Sequence, residues 1–145
     1  MTQRPVGFRA VVILLHALAG WAWCGALIGV ARQMLSIDTA LIIHAIGAPI
    51  GFAAISFFYF RRFTYTTPLQ TASAFLGIVM ALDLFLVAPF IEGSFAMFAS
   101  PLGTWIPFAL IFTATYVTGR NAARKPQTSP QQTAQPAGRA PILPL

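Results

Sequence analysis

Apolar residues fall into four long runs, at positions 11–30, 40–60, 69–91 and 103–117, separated by short polar or charged segments. Each run is about long enough to cross ~30 Å of hydrocarbon as a helix. Strands of a membrane barrel are about ten residues long and alternate strictly, so runs near twenty fit helices instead. In lipid every backbone N–H and C=O must be paired internally, and a helix does this within one segment. The pattern therefore predicts an all-α fold, a four-helix transmembrane bundle over residues 1–119. Residues 120–145 form a separate segment rich in Pro and Gln and carrying basic residues. With no periodic apolar face, it is expected to be a disordered cytoplasmic tail.

Composition supports lipid as the solvent. Hydrophobic residues make up 57% of the chain and charged residues only 8%. A water-soluble domain carries about a quarter charged residues. The net charge of +6 alone would admit nucleic acid as a partner, but the positions of the charges argue for a bilayer and against nucleic acid. Arg4 and Arg9 precede the first run, Arg61 and Arg62 separate the second from the third, and Arg120, Arg124, Lys125 and Arg139 follow the fourth. Four crossings put these groups on one face, with Arg32 alone opposite. The positive-inside rule then predicts both termini in the cytoplasm. The N-terminal run resembles a signal peptide, with Ala17-Leu18-Ala19 as a cleavage site, but apolar sequence continues through Val30, so an uncleaved helix is expected. The single cysteine, Cys24, excludes an intrachain disulfide or a CxxC redox pair.

Local signals mark the helix ends. Asp38 is placed to cap the second helix, and Thr67-Pro68 and Ser100-Pro101 are cap-and-proline starts for the third and fourth. Residues 94–99 are too short to span. Small residues mark expected helix contacts: Gly25-Ala-Leu-Ile-Gly29, Gly47-Ala-Pro-Ile-Gly51, and Ser73, Gly77 and Ala81 at four-residue spacing.

Three ionisable residues lie inside the runs: His16, His44 and Asp83. At 1.5 Å per residue, His44 lies about 6 Å and Asp83 about 12 Å from the outer end of their spans, and His16 about 8 Å from the inner end. Asp83 and His44 thus share the outer leaflet and form the candidate intramembrane site, either a proton- or cation-binding pair or an interhelical polar contact. A carboxylate at that depth costs at least ~2.5 kcal/mol and needs a partner, a proton or water. Haem between His16 and His44 is disfavoured, because the two lie about 16 Å apart along the normal of a ~30 Å core. Asp83, His44, Met80 and Met97 mix hard and soft ligands without a specific metal pattern, so no metal or other cofactor is expected. No Walker loop, HExxH or nucleophile–base constellation is present, and no enzyme is expected.

Taken together, His44-Ala-Ile-Gly-Ala-Pro-Ile-Gly51, Tyr65-Thr-Thr-Pro-Leu-Gln-Thr-Ala72 and Gly103-Thr-Trp-Ile-Pro-Phe108 resemble small uncharacterised four-span integral membrane proteins of bacteria and archaea. The resemblance covers residues 8–119 and implies a prokaryotic plasma membrane, with no assigned activity to transfer. The expected function is that of a structural or accessory membrane protein, with the bilayer and a second copy or another membrane protein as partners. The alternative is a small proton- or cation-coupled transporter using Asp83 and His44.

Overall fold

The computed structural model describes residues 5–63 and 65–123, and all of its regular structure is helical. The tail expected at 120–145 lies outside the described residues from 124 onward, while residues 120–123 continue the last helix. Helix α1 spans Val6–Met34 and α2 spans Ile37–Arg62. Helix α3 spans Pro68–Leu82 and runs on as a π-helix over Asp83–Ile91. A 3₁₀ turn at Ala96–Ala99 leads to a short π-helical start, Pro101–Trp105, and then to α4 at Ile106–Ala123. The four resulting spans are 29, 26, 24 and 23 residues long, each long and apolar enough to cross a membrane.

Caps explain where the helices begin. At α2 the cap is Ser36, whose hydroxyl accepts from the Thr39 N–H, and not the expected Asp38. Asp38 instead lies in the first turn, where its carboxylate complements the positive end of the helix dipole. At α3 a full capping box forms: the Gln70 N–H donates to Thr67 Oγ1 at 3.3 Å, and the Thr67 N–H donates to Gln70 Oε1 at 3.1 Å. Thr67→Ala removes half of this box and is expected to lower stability by about 1 kcal/mol in an equilibrium denaturation series. At the fourth span Ser100 Oγ accepts from the Gly103 N–H at 3.0 Å, with Pro101 in the first turn.

The π-helical stretch has a covalent cause within it. Pro89 has no N–H, and in an α-helix its ring would press on the carbonyl four residues back. Winding more widely relieves that contact. The stretch closes with the Glu92 N–H on the Val87 carbonyl and ends at Gly93, whose φ of 62° lies in the left-handed region that glycine enters without strain.

The helices form a ring in the order α1, α2, α4, α3, with the α2–α4 face the most extensive. The two halves of that ring are packed differently. Near Arg61 and Arg62 the interior is filled by Phe52, Tyr59 and Phe75, all fully buried, with edge-to-face ring pairs 6.0–6.1 Å apart. Ser56 donates to Thr115 at 3.2 Å and joins α2 to α4 in the same region. Tyr59, Thr66 and Thr71 share hydroxyl hydrogen bonds of 2.7–2.8 Å that tie the α2–α3 connection to the core. The opposite half, toward Arg32, is not filled. The outer surface of the spans is mainly apolar, and even Phe85 and Phe90 are 71% and 78% exposed. Monomeric soluble proteins rarely expose such contiguous patches, whereas lipid solvates them.

Candidate functional site

The unfilled half of the bundle is a chamber of about 620 Å³ bounded by all four spans. Its walls follow helical periodicity. From α3 and its π-helical continuation come Val79, Asp83, Val87 and Ile91, spaced by four, and from α1 come Trp21, Gly25, Gly29 and the exposed Arg32. Helix α2 contributes Ile37, Leu41 and His44. The floor, at Val79, Phe108 and Ile111, is buried, and the mouth, at Ile37, Ile91, Arg32 and Glu92, is exposed. The chamber is therefore a blind cleft that opens at the Arg32 end and stops near mid-bundle.

Small residues on α1 create this volume. A Cβ added at Gly25 or Gly29 would meet nothing within 4 Å, so these glycines front open space and seat no neighbouring helix within the chain. Gly77 is likewise open and exposed. The glycines of α2 behave differently: a Cβ at Gly47 would strike Leu27, and one at Gly51 would strike the Trp23 ring. Trp23 Nε1 also donates to the Gly47 carbonyl at 3.0 Å. Two glycine pairs of equal spacing thus do opposite things, one receiving side chains from α1 and the other vacating the interior.

Asp83 and His44 both line the chamber, but no hydrogen bond joins them. The partner of Asp83 is Trp21, whose indole N–H donates to Oδ1 at 3.0 Å and links α1 to α3. Among the described residues the second carboxylate oxygen makes no hydrogen bond. His44 Nδ1 is buried without a partner. His16 differs: its Nδ1–H donates to the Val12 carbonyl at 2.8 Å, and its ring lies edge-on to Tyr59 and Phe63. In the filled half the Nδ1–H of half-buried His16 is satisfied, whereas in the open half the Nδ1 of His44 is buried without a partner.

At the mouth, Arg32 and Glu92 form an ion pair between the end of α1 and the residue that closes the π-helical stretch. Their side chains are 45% and 32% exposed, so the pair adds little stability, but each charge offsets the other. Asp83 is left as the one carboxylate of the wall without an opposing cation. Among the described residues no group of three or more His, Cys, Asp or Glu side chains clusters as metal ligands do.

Sequence reasoning missed Trp21 and Glu92. Two signals were available. Trp21 stands four residues before Gly25 on the same α1 face, and α1 and α3 run in the same direction, which brings Arg32 and Glu92 to one end.

Comparison with protein-family models, with curated proteins and with solved structures gives no match for this chain. The described residues define the class by fold alone: four helices, each long and apolar enough to cross a membrane, around one chamber.

Proposed function

We propose that the chain is a small non-enzymatic integral protein of a prokaryotic plasma membrane, with both termini in the cytoplasm, an accessory component that holds a small ligand within its bundle. The observation that carries this reading is the chamber. Its volume of about 620 Å³ falls in the range of about 300–1,000 Å³ typical of organic-ligand sites. Its mainly apolar wall with few polar groups also matches such sites. The distribution of Lys and Arg supports the orientation, which puts the mouth on the extracytoplasmic side.

A second reading, proton- or cation-coupled transport, is favoured by one feature: Asp83 and His44 lie on the wall of a single chamber. Intramembrane ionisable residues that face a cavity mark ion paths in transporters. Transport requires the closed floor at Phe108 and Ile111 to open toward the other side, and binding alone does not.

Cysteine accessibility tests the proposal. In a Cys24→Ala background, Gly29→Cys is expected to react with a membrane-impermeant thiol reagent added outside intact cells. Gly77→Cys, on the exposed surface of α3, is expected not to react. Labelling of Gly29→Cys only from the cytoplasmic side overturns the orientation. Equal silence at both positions removes the chamber as an open site. Reaction from both sides in turn supports transport.

A further inference from the structure

We propose that the chamber binds an organic cation with an apolar body, an alkyl- or arylammonium whose N–H donates to the free carboxylate oxygen of Asp83. This deepens the ligand-binding reading above and rests on it. Four observations select the class.

The first is size. A space of about 620 Å³ is far larger than a single inorganic ion requires, and no cluster of metal-ligating residues is present among the described residues. The second is surface. Ile28, Leu41, Val79, Val87, Phe108 and Ile111 present hydrocarbon, which an apolar body covers more favourably than water does. The third is charge. Arg32 and Glu92 neutralise one another at the mouth, leaving Asp83 as the uncompensated carboxylate of the wall. An anionic ligand would meet repulsion there, and a neutral one, even where it donates a hydrogen bond, would leave the charge uncompensated. The fourth is geometry. Trp21 holds Asp83 through Oδ1 and makes no claim on Oδ2, which leaves that oxygen to accept from the N–H of an ammonium group. His44 lines the opposite wall, although its buried Nδ1 is not open to the chamber.

The orientation of the chamber fits the same class. An amphipathic amine concentrates at the membrane interface, with its ammonium group among the headgroups and its body in the hydrocarbon. The mouth opens at the Arg32 end of the bundle and the floor lies near mid-span, so entry proceeds from that interface inward.

The test uses a matched pair of probes, 4-phenylbutylammonium and the neutral 4-phenylbutanol, titrated into the full-length protein in lipid nanodiscs at pH 7 and followed by calorimetry. The expected result is at least tenfold tighter binding of the ammonium. Asp83→Asn should reduce that preference to less than twofold, Asp83→Glu should retain part of it, and Gly25→Leu should abolish binding of both probes. Equal or tighter binding of the alcohol, or a preference that survives Asp83→Asn in folded protein, overturns the cationic class while leaving the chamber as an apolar site. Binding of neither probe overturns the ligand-binding reading together with this one. If Asp83→Asn does not fold, the wild-type comparison and the Gly25→Leu control decide the matter. An ammonium preference that persists in Gly25→Leu places the binding elsewhere and overturns the proposal.

Discussion

Gly20→Leu is expected to destabilise the bundle by about 3 kcal/mol or more, whereas Gly25→Leu, five residues along the same helix, leaves it folded. The difference follows from what stands opposite each glycine. A Cβ at Gly20 would fall within contact-violating distance of three atoms of the Phe52 ring. That ring is fully buried and packs edge-on to Phe75 at 6.1 Å, so it has no space into which to rotate. Overpacking in a filled core ordinarily costs about 1–3 kcal/mol, and a leucine adds three more carbons beyond the Cβ. At Gly25 an added Cβ meets nothing within 4 Å, and the position lines the chamber, so a longer side chain has open space to enter. Leucine is also about 1 kcal/mol better than glycine in a helix interior, so Gly25→Leu should be neutral to slightly stabilising. Gly51→Leu should fall between the two, because its obstacle is Trp23, which is 45% exposed and can swing outward. Denaturation of each variant from mixed micelles, followed by tryptophan fluorescence, gives the ranking. Equal losses at Gly20 and Gly25 would show the chamber to be collapsed in the membrane.

These glycines mark the limit of what a one-dimensional pattern carries. Four spans were legible because twenty apolar residues in a row leave no other solution in lipid, and the structure has four helices of matching position. Thr67 and Ser100 were legible as caps because a hydroxyl directly before Pro satisfies the exposed N–H groups. The α2 cap was not, because Ser36 and Asp38 are both good capping residues two positions apart. The chain settles on the earlier one, which adds Ile37 and Asp38 to the helix. The wide winding after Leu82 has a written cause in Pro89, but proline in a span is tolerated in several geometries and does not announce which one occurs. Gly25/Gly29 and Gly47/Gly51 look alike in sequence. Only the pairing of α1 with α2 puts Trp23 and Leu27 against the second set and leaves the first set facing empty space.

The same limit applies to the candidate site. Depth along the spans brought Asp83 and His44 to one half of the bundle, and both line one chamber. Azimuth decided the rest. Trp21 lies on the α1 face turned to α3, and its indole N–H reaches Asp83. A depth estimate holds no information about that rotation.

Trp21→Phe is expected to be more harmful than the double variant Trp21→Phe/Asp83→Leu. The single change leaves Asp83 without its Trp21 hydrogen bond, and among the described residues the carboxylate has no other. An unsatisfied group of this kind costs about 1–3 kcal/mol, more when charged. Removing the carboxylate as well deletes the unsatisfied group and the insertion cost of at least ~2.5 kcal/mol that a charged residue carries at depth. The second substitution should therefore restore what the first one loses. Asp83→Leu alone should leave the bundle at least as stable as the wild type, because the cost of at least ~2.5 kcal/mol removed with the carboxylate outweighs the loss of one hydrogen bond from the indole N–H, about 1 kcal/mol. In a double-mutant cycle the Trp21–Asp83 coupling should come out at about 0.6 kcal/mol, the average for hydrogen bonds between membrane helices, and not above about 1.7 kcal/mol. If Asp83 serves only to join α1 to α3, the order reverses: Asp83→Leu is then as damaging as Trp21→Phe, and the double variant is no better than either. A carboxylate whose removal stabilises the bundle and erases ammonium binding is held there for its charge, with Trp21 as the donor that keeps one oxygen satisfied and the other free for a ligand.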